Sequence, residues 1–255
     1  MKLGFQIVAE SEGWIVVDKP PHLAAHPSRP GCGVTLWDGL RDLLAFELVN
    51  GGQVSLINRL DRETSGLTLV AKSYASARLF GLEMMGRRVE KEYLALVWGW
   101  PEWEERTSEE PILRQGSRET ARIYLRQMIH AEGAESLTRF RVEERWLGLT
   151  GERFALIRAF PQTGRTHQIR VHLAGLGYPV VGDKLYGPDE NCYLEFIQTG
   201  WTESLRDRLL LPRHALHSTG LRLPSLGLDW VSPLAPDLQA WMRGNLLAVG
   251  RVASL

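Results

Sequence analysis

The residues best suited to chemistry lie in one short run, residues 58–66, with the sequence NRLDRETSG. Its carboxylate Asp61 stands between Arg59 and Arg62, and an acid flanked by cations stays ionised because each positive neighbour favours the charged form. The apolar residues 67–71 that follow predict a buried strand. An ionised carboxylate beside anion-binding arginines suits a reaction on a phosphate-bearing sugar. Surface ion pairs in a loop are the alternative interpretation.

A second dense group of polar side chains lies in residues 163–173, TGRTHQIRVHL. It includes Arg165, His167, Gln168 and Arg170, at the start of a helix that we expect to begin near residue 166. A helix N-terminus attracts anions through its free N–H groups and dipole. Arginine is unfavourable there, so its presence indicates a carboxylate or phosphate partner. A solvated helix face is the alternative.

Other patterns give weaker or negative indications. Tyr93 begins an otherwise apolar predicted strand, and a tyrosine in that position is most often half-buried with its hydroxyl at the rim. Residues 177–184, GYPVVGDK, depart from a phosphate-binding P-loop because Asp183 stands between the glycine and the lysine. His167 and His172 are five residues apart, the wrong spacing for two metal ligands on a helix, so we expect no metal site.

Bulk properties are those of a soluble globular protein. The chain has 255 residues, of which 44% are hydrophobic and 24% charged. No apolar run approaches membrane-spanning length, and the first ten residues lack the signal-peptide pattern. Cys32 and Cys192 show no paired spacing. We therefore expect a reduced, cytoplasmic protein without membrane contact.

The net charge of zero disfavours a broad nonspecific nucleic-acid binder but leaves local RNA binding open. Between residues 158 and 184, four basic residues stand against one acid, and residues 102–110 hold five acids against one arginine. This segregation predicts a cationic patch, as in a cationic cleft, and a solvated acidic edge.

The hydrophobic periodicity predicts an α+β fold in one domain, residues 1–255, because the strands do not alternate regularly with helices and no linker or repeat interrupts the chain. We expect a largely antiparallel sheet. The helix over 74–85 is expected to bury Ala75, Leu79 and Leu82, and residues 101–116 are expected to form a loop. The predicted strands are 14–18, 67–71, 92–98, 121–125, 136–146 and 154–160, and the other predicted helices are 35–44, 166 to about 175, and 236–247.

Taken together, these segments resemble the RluA-type pseudouridine synthase family, specifically its shorter members without an extra N-terminal RNA-binding domain. The matching pieces follow the family's order and cover nearly the whole chain. They are residues 15–20 (IVVDKP) with His26-Pro27, 59–67 (RLDRETSGL), 91–97 (KEYLALV), 163–173, 182–187 (GDKLYG) and 213–217 (RHALH).

This resemblance implies a pseudouridine synthase-like catalytic domain with a mixed, mostly antiparallel sheet, flanking helices and a central cleft. It also implies conversion of uridine to pseudouridine in a tRNA or rRNA stem-loop without a cofactor, by a monomer. Asp61 would start the reaction, by attack on C1′ or by removal of a proton at C2′. Tyr93 would pack on the uracil and help remove the C5 proton, and Arg165 would pair with Asp61.

The resemblance further assigns RNA contacts. Arg59 would fill the space left by the flipped base, and Arg62 would contact the RNA. The helix-start residues His167, Gln168 and Arg170 would contact RNA or brace the cleft.

One residue departs from the family pattern: Asn58 stands where the family usually has histidine. Asparagine keeps hydrogen-bonding capacity but lacks a titratable ring, so we expect activity to survive with an altered fit to RNA. Two rival functions stay open. One is a catalytically silent RNA-binding module on the same scaffold. The other is a glycoside hydrolase using Asp61 and Glu63, which is disfavoured because paired acids usually come from different elements.

Overall fold

The structure is a computed structural model that describes residues 4–27, 33–117 and 121–248, so Cys32 lies outside the described residues. The strands are β1 (Gln6–Glu10), β2 (Trp14–Lys19), β3 (Ser55–Leu56), β4 (Ser65–Ala71), β5 (Glu90–Trp98), β6 (Glu105–Ser108), β7 (Ile112–Arg114), β8 (Gln127–Ile129), β9 (Thr138–Gly148), β10 (Arg153–Pro161), β11 (Leu216–Leu223), β12 (Leu228–Val231) and β13 (Leu246–Ala248). The helices are α1 (Leu36–Leu43), α2 (Ala45–Val49), α3 (Tyr74–Met85), α4 (Gln168–Gly175), α5 (Asn191–Thr199), α6 (Glu203–Leu209) and α7 (Pro236–Asn245).

The chain divides into two compact units. The first comprises Met1–Glu92 and His217–Pro233, and the second comprises Tyr93–Leu216 and Leu234–Leu255. The single-domain interpretation stays a prediction.

The first unit contains strands in the order β1-β2-β4-β11, with β3 also paired to β4 and β12 to β11. All of these pairs are antiparallel except β4 with β11, where Ser65 lies opposite His217 and Gly66 opposite Ser218. This pattern confirms the mixed, mostly antiparallel α+β fold.

Strand β4 is buried along its whole length because helices cover both of its faces. Leu67 and Leu69 point toward the side covered by Phe80 of α3. Val70 points the other way and packs with Leu36 and other residues of α1. Successive side chains of a strand point to opposite faces, and both faces of β4 are covered. An uninterrupted apolar run is therefore needed here.

Two predicted helices of this unit are confirmed, and their starts have local causes. Thr35 caps α1 in a reciprocal capping box with Asp38, and the Ser73 side chain accepts from the main-chain N–H of Ser76 at the start of α3. Such caps satisfy N–H groups that have no partner inside the helix.

The predicted buried face of α3 is wrong. Leu79 and Leu82 are 43% and 47% exposed, whereas Phe80 is buried, with Met84 packed against the same core cluster. The helix carries a second apolar stripe, and the stripe with the aromatic ring faces the sheet. Its buried Glu83 is tolerated because Arg88 and Ser225 bond to the carboxylate.

The second unit is built on strands in the order β5-β10-β9-β13, all antiparallel, with β6 also paired to β9. The predicted strands 92–98, 136–146 and 154–160 are confirmed, with small changes at their ends. A separate hairpin, β7 with β8, packs beside α4 through a cluster that includes Ile112, Val171 and Tyr186.

Several predictions in this unit are wrong. Residues 121–125 form no strand: Ile123 is buried in a turn, and the strand comes at β8. The segment 101–116 contains β6 and β7, because two later strands, β9 and β8, pair with them. Helix α4 begins at Gln168, two residues late, and α7 ends at Asn245 because the next residues extend to pair with β9. Helices α5 and α6 were not predicted.

We predict that Gly66→Ala strongly destabilises the protein. Gly66 has φ of +110°, and an added Cβ would lie 2.2 Å from the main-chain oxygen of Ser218 on β11. The parallel strand pair would have to separate, at a cost of about 1–3 kcal/mol or more. Urea denaturation followed by tryptophan fluorescence measures this loss. Gly81→Ala is the matched control, since nothing lies within 4 Å of its added Cβ on α3; alanine should leave stability unchanged or raise it. Equal stability of the Gly66→Ala protein and wild type would contradict the analysis.

Candidate active site

Asp61 lies in the connection between β3 and β4 of the first unit, where the chain reverses. The main-chain N–H of Thr64 donates to the main-chain oxygen of Asp61 at 3.1 Å, which closes a four-residue turn. Arg59 and Arg62 are exposed and Asp61 is half-buried. The turn therefore presents its charged side chains toward the surface of this unit.

Asn58 anchors the first half of this connection. Its side chain is only 6% exposed, its Nδ2 donates to the main-chain oxygen of Leu67 at 3.0 Å, and its Oδ1 accepts from the main-chain N–H of Leu69 at 2.8 Å. The carboxamide thus bonds to β4 much as a neighbouring strand would. The residue that departs from the family pattern holds the Asp61 connection to the sheet. The altered fit to RNA stays a prediction.

Lys19 anchors the middle of the turn. Its side chain is fully buried, and its ammonium donates to the main-chain oxygens of Pro20, Leu23 and Arg62 at 2.8, 2.9 and 3.2 Å. Three carbonyl dipoles compensate the burial of the charge. The Nε of Arg62 also donates to the main-chain oxygen of His22 at 3.3 Å. The turn and residues 20–23 are therefore tied to each other.

A chain of buried side chains anchors the last part of the connection. Ser65 Oγ lies 3.0 Å from Nδ1 of His217, Nε2 of His217 lies 3.2 Å from Oγ of Ser232, and that hydroxyl donates to Asp18. The side chains of Ser65, His217, Ser232 and Asp18 therefore form one hydrogen-bonded chain.

Gln168 is the centre of the loop that carries Arg165 in the second unit. Its Oε1 accepts from the main-chain N–H of Arg165 at 2.9 Å and from the Thr163 hydroxyl at 2.7 Å. Its Nε2 donates to the main-chain oxygen of Leu137 and to Thr138 at 3.0 and 2.9 Å. Gln168 is 4% exposed. These contacts make it a brace, and a contact with RNA stays a prediction.

Arg165 itself is exposed, and its Nε donates to the main-chain oxygen of Glu135 at 2.9 Å. Gln168 holds the main chain of Arg165 and Glu135 holds its side chain, so the guanidinium is restrained. The other N–H groups of the guanidinium can still donate to a second partner. Such a group is well placed to bind an oxyanion.

Arg170 is buried and forms a two-point ion pair with Asp183. The Nε–Oδ2 and Nη2–Oδ1 distances are 2.6 and 2.8 Å, and Oδ1 also accepts from the main-chain N–H groups of Leu185 and Tyr186. Burial opposes ionisation of Asp183 most strongly, but the attraction and hydrogen bonds of Arg170 together with the other donors outweigh it and hold the carboxyl pKa far below its usual range. Arg170 is therefore engaged inside the protein, and its contact with RNA stays a prediction.

His167 precedes α4 in a left-handed conformation, with φ of 58°. Its Nδ1 lies 2.8 Å from the hydroxyl of Tyr186, which also accepts from the main-chain N–H of Gln127 at 2.8 Å. The side chain is partly exposed. His167 is thus connected through Tyr186 to the start of β8.

Tyr93 lies on β5 opposite Ala159 of β10 and is 8% exposed. The expectation of a half-buried tyrosine understates its burial, because the strand is covered along residues 93–97. Packing of Tyr93 on a uracil stays a prediction.

The predicted cationic patch over residues 158–184 does not face solvent as a whole. Arg158 pairs with Glu143, Arg170 with Asp183, and Lys184 is 4% exposed with its ammonium 2.6 Å from the main-chain oxygen of Pro212. Only Arg165 of these four basic residues is exposed. Two of the four basic residues, Arg158 and Arg170, are therefore used in ion pairs within the protein.

Sequence reasoning missed the roles of Lys19, His217 and Asp183, although each lies in a segment that resembles the family. Each bonds to atoms of residues far along the chain. The resemblance therefore included these residues, but no local pattern indicated what they contact. Among the described residues no three His, Cys, Asp or Glu side chains group as a metal site.

Comparison with known proteins decides the family. The sequence model of the family described as RNA pseudouridylate synthase matches residues 13–175, a span that contains Asp61, Tyr93 and Arg165. The chain belongs to the RNA pseudouridylate synthase family. Strands β2, β4 and β5 and the start of α4 all fall within the matched residues.

Individual RNA pseudouridylate synthases are similar over most of the chain. Ribosomal large subunit pseudouridine synthase D of Nitrosomonas europaea is 33% identical over 93% of this chain and 64% of its own length. The Pseudomonas aeruginosa protein of the same name is 34% identical over 91% of this chain and 69% of its own length. The chain thus spans about two-thirds of the length of these curated relatives.

The fold is also similar to a solved family structure. Human RNA Pseudouridylate Synthase Domain Containing 1 matches with a TM-score of 0.71 and 29% identity, over 100% of this chain and 93% of that one. In the described part of the chain, no helix is long and apolar enough to cross a membrane.

His172 gives a prediction for the dependence of stability on pH. Its ring is fully buried beside Gln168, with Nδ1 3.0 Å from Thr138 and Nε2 2.9 Å from Ser136 and 3.0 Å from the main-chain oxygen of Glu110. Burial lowers the pKa of His172, against a smaller opposing effect of the Glu110 carbonyl.

Below about pH 6.5 the unfolded chain binds a proton on this histidine and the folded chain does not. The free energy of unfolding therefore falls as the pH drops, by up to about 1.4 kcal/mol per pH unit. His172→Gln should flatten the free energy of unfolding between pH 7.5 and 5.5, measured by urea denaturation. The same slope in wild type and variant would contradict this role.

Proposed function

We propose that this protein is an RNA pseudouridine synthase that converts specific uridines of ribosomal RNA, or of a tRNA stem-loop, to pseudouridine. The main support for this proposal is the family match, which spans the three residues predicted to be catalytic. The names of the curated relatives support ribosomal RNA as the first substrate to test.

The reaction breaks the N1–C1′ bond and forms a C5–C1′ bond; C5 then loses its proton and N1 gains one. No net oxidation or reduction occurs, so side chains alone are sufficient for the proton transfers. In this proposal Asp61 supplies its carboxylate to the sugar, either at C1′ or at the C2′ proton. Tyr93 packs on the uracil and assists loss of the C5 proton.

Arg165 would pair with the Asp61 carboxylate in this proposal. The support is its restrained, exposed guanidinium, since a positioned arginine favours the ionised carboxylate and tolerates negative charge developing nearby. Gln168 and Arg170 would act by bracing this loop from inside the second unit.

Arg59 and Arg62 would contact the RNA around the target nucleotide. Both are exposed on the turn that carries Asp61, and Arg59 would fill the space of the base that leaves the stack. Phosphate contacts would position the RNA, and its loop shape would supply specificity. We further propose that the protein acts as a monomer in the cytoplasm.

Asp61→Asn should abolish pseudouridine formation while leaving RNA binding largely intact, because the amide keeps the shape and loses the charge. Release of tritium from RNA labelled at C5 of uridine measures turnover, and filter binding measures affinity. Asp229→Asn is the matched control, because Asp229 is an exposed acid on β12 that pairs with Arg222 of β11. Full product formation by Asp61→Asn would refute the role. Absence of tritium release from wild type on ribosomal and transfer RNA would favour a silent RNA-binding module.

Arg165→Ala should lower kcat by at least about 100-fold without unfolding the protein, because the side chain is exposed and the main chain is held by Gln168. Single-turnover kinetics at saturating RNA checks the rate, and the urea midpoint checks the fold. Arg165→Lys should recover only part of the rate, since an ammonium cannot bond to a carboxylate at two points. A normal rate for Arg165→Ala would remove the residue from the site.

A further inference from the structure

Tyr124 is an exposed aromatic ring held in a fixed orientation. It lies in the connection between β7 and β8 of the second unit and is 68% exposed. The guanidinium carbon of Arg114 lies 5.1 Å from its ring centre, and Nη1 of Arg114 donates to its hydroxyl at 3.1 Å. An aromatic side chain with one face covered by arginine and most of its surface in water has a face left for another planar group.

The main chain around Tyr124 is also restrained. The Cβ position of Gly116 lies 3.0 Å from Cδ2 of the ring, so the chain passes close to the ring edge. Gln115 donates from its main-chain N–H to the main-chain oxygen of Arg126 at 2.9 Å, and Ile123, the residue before the tyrosine, is buried. The ring therefore lies close to Gly116 and directly after a buried residue, in a part of the connection whose main chain is hydrogen-bonded.

The charge around the ring favours a polyanion. Arg114 and Arg122 are both exposed on this hairpin. Arg126 pairs with Glu190, which removes that acid as an opposing charge. Aromatic side chains combined with basic ones form the binding surfaces for unpaired nucleotides, because every base has a face that stacks while arginine attracts phosphate.

The hairpin is continuous with the residues predicted to contact RNA. Gln127, three residues after Tyr124, donates from its main chain to the hydroxyl of Tyr186, and that hydroxyl bonds to Nδ1 of His167. Ile129 of β8 packs on Gly175 of α4. Hydrogen bonds and packing therefore connect the segment that carries Tyr124 to His167 and α4.

We propose that Tyr124 is a stacking platform for an unpaired RNA base, with Arg114 fixing the ring and Arg122 attracting the backbone. This inference rests on the proposed RNA-directed function. It adds a specific contact outside the residues assigned to catalysis, and it names single-stranded rather than duplex RNA as the partner of this surface.

The test compares binding of two probes, a 15-nucleotide oligouridylate and a 16-base-pair RNA duplex, by fluorescence anisotropy. Tyr124→Leu should weaken oligouridylate binding by about 5- to 150-fold and leave duplex binding unchanged, and Tyr124→Phe should bind like wild type because the ring remains. Tyr74→Leu, at a tyrosine that is 76% exposed in the first unit, is the matched control and should change neither affinity.

Salt dependence separates stacking from charge. Tyr124→Leu should leave the slope of log Kd against log salt unchanged, whereas Arg122→Gln should reduce it by about 0.7, the value for one phosphate contact on a single strand. If Tyr124→Leu binds oligouridylate with wild-type affinity, the stacking proposal is wrong. A surface that binds a protein partner instead of RNA would give that result. Weakened oligouridylate binding with no tritium release by wild type would instead refute the enzymatic function and leave the platform standing.

Discussion

Hydrogen bonds made by buried side chains, to main-chain atoms and to the Ser65 hydroxyl, hold the Asp61 turn, and the chemistry proposed for that turn depends on them. Asn58 bonds to β4 on one side, Lys19 bonds to the carbonyl of Arg62 in the middle, and Ser65 is held by His217 on the other. Buried donors and acceptors that lose such partners cost about 1–3 kcal/mol each. The turn therefore has a defined geometry although its own charged side chains are accessible.

The second unit follows the same arrangement with different groups. Gln168 accepts from the loop that carries Arg165 and donates to Leu137 and Thr138, and the Arg170–Asp183 pair fixes the start of α4 against the segment 182–187. Gly182 and Gly187 of that segment lie close to other main-chain atoms, since an added Cβ would lie 2.0 Å from the oxygen of Arg213 and 2.1 Å from the oxygen of Asp183. In both units, exposed functional groups stand on supports that are polar and buried.

Nine of the twenty helices and strands in the described residues were predicted, and they are the ones where local signals and burial agree. Strand β4 is an apolar run between turn signals, and the capping residues of α1 and α3 stand where the periodicity begins. The face of α3 was wrong because two apolar stripes compete: Leu79 and Leu82 satisfy helical spacing as well as Phe80 and Met84 do. Which stripe is buried depends on the shape of the sheet beneath, and that shape is not a local property.

The site was predictable in composition but not in role. Motif resemblance selected Asp61, Arg165, Gln168 and Arg170, but it left open whether Gln168 and Arg170 contact RNA or brace the cleft. Gln168 and Arg170 are buried, and their partners include Leu137, 31 residues away from Gln168, and Asp183, 13 residues away from Arg170. Tertiary contacts of that range leave no trace in a hydrophobic pattern, so whether a polar residue braces or binds had to come from the structure.

The outward stripe of α3 has a practical consequence for handling the folded protein. This stripe consists of Leu79, Leu82 and Met85 at helical spacing, and Met85 is 82% exposed. Hydrophobic reporter dyes can therefore bind to the folded protein before any unfolding begins. A dye-based melting curve would start from a high baseline. The nine intrinsic indoles, several of them packed in contacts such as Trp14 with Trp230, are the cleaner optical signal.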